Sequence, residues 1–276
     1  MPAEWIPSSL EVHALGSGSS GNATLIRMNG RCLLIDAGIG PRRLVPWLQH
    51  RGVEPGCLEG VLITHEHEDH IRAAEAVGKR WAAPVVGNRA TLEALCRRFD
   101  PPFTRELPTG ADTRMGCFWV RSFPVSHDAA DPVGYVVETG GVRIAYATDL
   151  GCVTPEVAGA LRGAHLCVLE ANHDLQWLLR GPYPPHMKAR VASDTGHLSN
   201  TEAAHLIARL LDEGGPAAFW LAHLSAVNNS PALARRTVSQ ELSRLTGVPV
   251  CLEVALRDQP SVVWRPRRPA VQGCLL

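Results

Sequence analysis

The run Thr64-His65-Glu66-His67-Glu68-Asp69-His70 places four metal-ligating side chains, His65, His67, Asp69 and His70, within six positions. It directly follows the apolar stretch Val61-Leu62-Ile63 and precedes a helical pattern, and strand ends are where open α/β sheets place their chemistry. In extended backbone, residues two apart point the same way. His65 and His67 can therefore share one cation, while Asp69 and His70 turn with the helix start toward a second. Imidazole and carboxylate suit zinc, manganese or iron, and the lack of cysteine in the run argues against a closed structural zinc site. A lone His-x-His is usually a solvated helix start. A run this dense behind a buried strand reads as an open, catalytic metal site.

Two cations need further ligands, and His127 after Phe118–Phe123, Asp149 after Val142–Tyr146 and His223 after Ala217–Leu221 each stand just beyond an apolar run. Singly, each would more often be a turn residue. Three of them, in a chain that already carries the dense run, read as ligands.

These residues need strands to hold them. Short β-type runs alternate with helical ones throughout: 10–15, 23–28, 32–36, 61–64, 84–86, 118–123, 133–138, 142–148, 165–170, 217–222, 250–254 and 261–264 are expected strands. Helices are expected at 41–51, 69–80, 89–98, 154–162, 200–212 and 231–246. Asn200, with Glu202 behind it, is the expected N-cap of one, and Pro231 fits a first turn after Ser230. No linker or short repeat divides the chain, so the expected organisation is one α/β domain over 1–264 and a polar tail over 265–276.

Composition narrows the class. With 276 residues, 45% hydrophobic and 20% charged, the chain has the make-up of a globular protein rather than a disordered one. It lacks any apolar stretch of the roughly 18 residues that a spanning helix needs, and its N-terminus lacks the pattern of an export signal. No membrane association is expected. The eight cysteines (32, 57, 96, 117, 152, 167, 251, 274) form no CxxC pair and are read as reduced thiols of a cytoplasmic protein. The net charge of +0 draws no polyanion to the molecule as a whole, so nucleic acid would have to meet a local patch.

The series Asp36 (in LLIDAG), His65, His67, Asp69, His70, His127, Asp149, His223 resembles the metallo-β-lactamase superfamily. That resemblance implies an αββα sandwich: two facing mixed sheets, outer helices, and metals at one sheet edge. It also implies that His65, His67 and His127 hold one metal, that Asp69, His70 and His223 hold the other, that Asp149 bridges them, and that Asp36 supports a ligand from behind. Redox members of the superfamily carry Glu at the position of His67, so His67 favours hydrolysis. The strings LGSGSSGNATLI, ITHEHEDH, SHDAADPVGY, YATDLG, LEANHD, RGPYPP, GHLSN and LAHLS, spanning Leu15 to Asn229, narrow the resemblance to the YycJ (WalJ, VicX) family of bacterial hydrolases. Members are described as 5′ to 3′ exonucleases on double-stranded DNA with links to mismatch repair. The expectations that follow are a DNA substrate with a 5′ end, repair proteins as partners, cytoplasmic residence, and two divalent ions per chain, zinc or manganese, with iron or nickel admissible.

Such ions lower the pKa of water from roughly 15.7 to about 7, and hydrolysis then needs an acid for the leaving group. His197 and Glu170 resemble the acid and its orienting carboxylate in tRNA 3′-processing members, and Asp69 joins them as a catalytic candidate besides being a ligand. The turn Gly16–Asn22 offers Ser19, Ser20, Gly21 and Asn22 as a phosphate cradle, though a tight hairpin needs the same residue types. Lys188 and Arg190, with Arg180, offer a basic patch, with a solvated loop as the equal alternative. Tyr183 between prolines is expected to be a rigid turn residue rather than a base-stacking one. The 46 residues from Gly151 to Gly196 are too few for the extra domain of larger nuclease branches. Two rival functions follow: a small-molecule phosphodiesterase or ester hydrolase, and a non-catalytic DNA-binding scaffold, which the complete ligand set disfavours.

Overall fold

The computed structural model describes residues 9–215, 218–247 and 250–266. Strands β1 (Glu11–Gly16), β2 (Ala23–Met28) and β3 (Arg31–Ile35) form an antiparallel meander. Asn29 and Gly30, at φ 50° and 76°, make the β2–β3 connection, the positive-φ pair that matches strand twist in a tight hairpin. From there the chain turns to parallel crossovers. Helix α1 (Pro41–His50) leads to β4 (Leu58–Leu62), α2 (Glu68–Ile71) and α3 (Ala74–Trp81) lead to β5 (Val85–Gly87), and α4 (Arg89–Cys96) leads to β6 (Thr104–Glu106).

The second half repeats this plan. A meander of β7 (Asp112–Met115), β8 (Phe118–Pro124), β9 (Val133–Thr139) and β10 (Val142–Ala147) precedes three parallel additions. These are β11 (Leu166–Glu170) after α5 (Pro155–Leu161), β12 (Ala218–Ala222) after α6 (Leu175–Arg180), α7 (Pro185–Val191) and α8 (Asn200–Asp212), and β13 (Leu252–Val254) after α9 (Pro231–Thr246). Strand β14 (Val263–Trp264) returns to pair with β1. The sheets run β14-β1-β2-β3-β4-β5-β6 and β13-β12-β11-β10-β9-β8-β7.

Side-chain alternation explains the layering. On β3, Leu33 and Ile35 face the other sheet, where they join Ile144, Tyr146, Val168 and Trp220. Cys32 and Leu34 face outward, under Leu44, Leu48, Val77 and Trp81 of α1 and α3. On the second sheet Cys167, Leu169, Phe219 and Leu221 lie under Leu161, Ile207 and Val238 of α5, α8 and α9. Strands covered on both faces read as unbroken apolar runs, which is why CLLI and LCVLE carry so little polarity. The molecule is the αββα sandwich of two mixed sheets that the family resemblance implies.

Four elements escaped the sequence reading: β6, β7, α6 and α7. β6 is exposed throughout and α7 buries no residue, so neither carries the apolar periodicity that reveals an element. The helix expected over 69–80 is two helices broken near Ala73. The cap of α8 is Ser199, not Asn200: its hydroxyl accepts from the Glu202 amide and the Glu202 carboxylate returns to the Ser199 amide. Arg265 is ion-paired to Glu11, while the expected tail beyond it lies largely outside the described residues. The seven described cysteines are free thiols, and no described helix is long and apolar enough to cross a membrane.

Candidate metal centre and proton relay

Both sheets send their functional residues to one place, just past the ends of strands. Asp36 follows β3, His65 and His67 follow β4, His127 follows β8, Asp149 follows β10, Glu170 closes β11 and His223 follows β12. Asp36, Asp149 and His223 have φ of 59°, 57° and 53°. A left-handed residue that is not glycine costs about 1–3 kcal/mol and survives where its surroundings impose it. Here it turns each side chain inward at the end of its strand. Close packing holds the α2 start against the β3 loop: a Cβ on Gly38 would stand 1.6 Å from the Asp69 carbonyl oxygen.

Among the described residues, four overlapping groups of donors reach metal-ligand spacing, one of them His65, His70 and Asp149, and two match the expected pair of sets. Nitrogens of His65, His67 and His127 lie within 4.8 Å of one another, and donor atoms of Asp69, His70 and His223 do the same. Asp149 lies between them: Oδ2 is 3.3 Å from His70 Nε2 and Oδ1 is 3.8 Å from His127 Nε2. The imidazoles are held from behind. His70 Nδ1 meets Asp36 Oδ2 at 2.8 Å, His127 Nδ1 meets the Gly196 carbonyl at 3.0 Å, and His223 Nδ1 meets Glu170 Oε1 at 2.8 Å. Thr64 Oγ1 lies 3.1 Å from both Asp36 carboxylate oxygens and from His65 Nδ1.

Holding Nδ1 from behind fixes the ring and leaves Nε2 as the donor, the usual outer-shell arrangement of metal-binding histidine. His65 Nε2, His223 Nε2 and Asp149 Oδ2 are buried with no hydrogen-bond partner. A buried polar atom left without one costs about 1–3 kcal/mol. Three at one site, each able to offer a lone pair once its proton has left, fit divalent cations. His70 Nε2 also has Asn22 Nδ2 at 3.0 Å.

Charge is divided between the sets. Burial, and then the neighbouring imidazoles, push His65 well below its ordinary value, and burial pushes His127 down. Burial acts against His70 and His223 too, but is outweighed: Asp36, Asp149 and Asp69 raise His70 to about 9, and Asp149, Asp69 and Glu170 raise His223 well above its ordinary value.

Beside the metal donors, His197 Nδ1 meets Glu170 Oε1 at 2.9 Å. The same oxygen serves His223, and Oε2 accepts the amides of Leu150 and Leu198 at 3.0 and 3.1 Å. Glu170 is fully buried with both oxygens engaged. Burial alone would raise its pKa and lower that of His197; the ion pair reverses both, leaving Glu170 a carboxylate and His197 raised. Asp149, Glu170, His197 and His223 also meet metal-ligand spacing, but Nδ1 of both rings is turned to Glu170 Oε1.

His197 opens onto a groove lined by Ser19, Asn172, Tyr183, Met187, Arg190 and Ser225, among others. Of the residues expected to cradle phosphate, Ser19 and Arg190 line it. The rest are occupied elsewhere. Ser20 bonds Asp258, Gly21 packs against Ile39, and Lys188 donates to the Leu179 carbonyl. Buried Asn22 accepts from the Gly18 amide and donates to the Asp69 carbonyl, so it shapes the ligand-bearing turn. Tyr183, read as a turn residue, is a wall of the groove.

Asp128 was missed. It lines the same groove, is paired by the Arg190 guanidinium, and sets Oδ1 3.3 Å from His127 Nε2. Its adjacency to His127 was the available signal.

The model of the beta-lactamase superfamily domain matches residues 31–224. The exodeoxyribonuclease YycJ of Bacillus anthracis is 34% identical over 236 residues, covering 84% of this chain and 89% of the relative. The exodeoxyribonuclease WalJ of Streptococcus pneumoniae is 32% identical over 235 residues, covering 83% and 87%. The chain belongs to the metallo-β-lactamase superfamily. Within that superfamily its relatives place it in the YycJ/WalJ family. The fold agrees: the crystal structure of the metallo-β-lactamase fold protein YhfI from Bacillus subtilis superposes with a TM-score of 0.69 at 17% identity, over 93% of this chain and 99% of that one.

Proposed function

We propose that the protein is a dinuclear metal-dependent phosphodiesterase, a 5′ to 3′ exodeoxyribonuclease on double-stranded DNA. One observation carries this reading: two donor sets with Asp149 between them stand beside the His197 imidazole, whose Nδ1 the buried Glu170 carboxylate holds at 2.9 Å. YycJ and WalJ, similar over most of their length, are named exodeoxyribonucleases. His65, His67 and His127 would hold one divalent ion, zinc or manganese, and Asp69, His70 and His223 the other, with Asp149 between them. Bound there, the ions would supply a nucleophilic water at neutral pH and neutralise phosphate charge.

The remaining work falls to the chain's own groups. Asp36 and Glu170 keep the His70 and His223 rings aimed with Nε2 toward the centre. His197, with Nδ1 bound to Glu170 and its ring at the groove, donates a proton to the departing sugar oxygen. Glu170 stabilises the imidazolium before transfer and fixes the ring afterwards. Arg190 and Ser19 line the groove where the phosphate-sugar chain would lie. This reading also holds the site to be within one domain over 1–264, in a cytoplasmic protein that meets repair proteins.

The test is end-labelled linear duplex DNA with Mn²⁺, together with elemental analysis. Nucleotides should leave from the 5′ end, and close to two ions per chain should be found. Turnover of small phosphodiesters alone would move the substrate to a small molecule, and a single ion would break the ligand assignment.

A further inference from the structure

The segment between β11 and α8 buries little and exposes much. Leu175, Trp177 and Leu179 of α6 are 46%, 47% and 54% exposed, and Val227 of the facing turn 41%. Trp177 and Val227, with Asp174, Gln176, Arg180 and Gly181, line a cleft of about 560 Å³. Its chemistry is that of a strand-binding surface: an open indole, an aliphatic wall and a guanidinium. The Arg180 guanidinium makes no hydrogen bond or ion pair among the described residues. The cleft's one carboxylate, Asp174, is engaged as the N-cap of α6 through the Trp177 amide.

The cleft adjoins the groove of His197 along two stretches of chain. Arg180 and Gly181 line the cleft and Tyr183 the groove; Val227 lines the cleft and Ser225 the groove. Gly181 lets these stretches touch, since a Cβ there would stand 2.6 Å from the Trp177 carbonyl and 2.9 Å from Asn228 Oδ1. Asp174 N donates to the Asn228 carbonyl at 2.9 Å. Below, Asn228 is fully buried with both ends of its side-chain amide unpartnered.

We infer that this cleft binds a single strand of nucleic acid running out of the catalytic groove, with one base stacked on Trp177 and one phosphate held by Arg180. The inference rests on the proposed nuclease activity. Aromatic platforms flanked by free cations are how proteins hold single strands without reading sequence, and an end-processing enzyme needs sequence tolerance. The molecule supplies its own control. Trp119 is also 47% exposed, but it lies near the start of β8, whose other end leads to His127, so it stands away from the catalytic groove.

The full chain in EDTA should bind a short labelled single-stranded oligodeoxynucleotide, measured by fluorescence anisotropy. Trp177→Ala should weaken Kd about 5- to 150-fold, the span of one lost stacking contact. Trp177→Phe should recover most of that, Arg180→Ala should weaken binding and flatten its salt dependence, and Trp119→Ala should change nothing. Bis(p-nitrophenyl) phosphate turnover by the metal-loaded protein should be the same for Trp177→Ala and wild type, while KM for duplex DNA rises. Unchanged Kd in Trp177→Ala overturns the inference, as does unchanged Kd with a dimer that falls apart, which would give the face to a second copy. A wild type that binds the oligonucleotide but cleaves no DNA would instead sink the nuclease reading and leave the cleft to be judged by Kd.

Discussion

The two halves of the sandwich share a plan, a meander followed by parallel crossovers, yet they load the site differently. The first half concentrates: the turn after β4 supplies His65, His67, Asp69 and His70, with Asp36 from the neighbouring strand behind them. The second half disperses, giving one residue per strand end: His127, Asp149, Glu170 and His223, with His197 just before α8. On the proposed reading, the first half builds the metal-binding turn, and the second completes it and adds the proton relay. Only the second carries a long insertion on the substrate side, α6 and α7, between β11 and α8. Division of labour between similar halves lets the substrate face vary without disturbing the donors.

Removing a donor from either half should have the largest effect, and equally. His67→Ala and Asp149→Ala should both reduce nuclease activity to background and lower the metal content measured by elemental analysis. Loss confined to the first-half variant would break the picture of a shared centre.

The relay belongs to the second half alone. His197→Ala should therefore lower kcat about 10²- to 10⁴-fold with the ions retained, and a substrate with an acidic leaving group should be far less affected. Loss of metal in that variant would make His197 a ligand.

The carboxylates behind the ligands should then separate the halves by pH. Asp36→Asn and Glu170→Gln should each weaken metal binding about 10- to 100-fold. Glu170→Gln should also shift the alkaline limb of kcat. In the proposed role His197 acts protonated, and Glu170 raises its pKa, so activity should persist above the ordinary imidazole range and be lost as pH climbs through the raised value. Without that carboxylate the limb moves to lower pH; Asp36→Asn should leave it in place.

The smallest effect tests structure only. Helix α8 of the second half has a full capping box at Ser199, whereas α1 of the first has no side-chain cap at Gly40. Ser199→Ala should cost about 0.5–2 kcal/mol in chemical denaturation, while Gly40→Ala should show no loss of a cap bond.

The same contrast governs what could be read without coordinates. The first-half ligands were legible because they are neighbours in sequence, where spacing alone implies convergence. His127, Asp149 and His223 were legible only as polar residues beyond apolar runs, and their convergence needed a resemblance to be inferred. Asp128 and the Tyr183 wall went unread because groove membership leaves no periodic trace. The phosphate loop shows the opposite failure. Gly21 and Asn22 have the right residue types for an anion cradle, but packing uses them to shape the turn that bears Asp69 and His70.

By itself the sequence determined most of the strands and helices and the kind of chemistry, because apolar alternation and donor type are local properties of the chain; the two-sheet layering came only with the family resemblance. Tertiary structure decided which donors share a centre, that Glu170 serves both His197 and His223, and that α6 leaves Trp177 beside the groove. The physical reason is reach: a hydrogen bond or a coordination sphere spans a few ångströms in space, and residues that meet within it can be more than a hundred positions apart along the backbone, as Asp69 and His223 are.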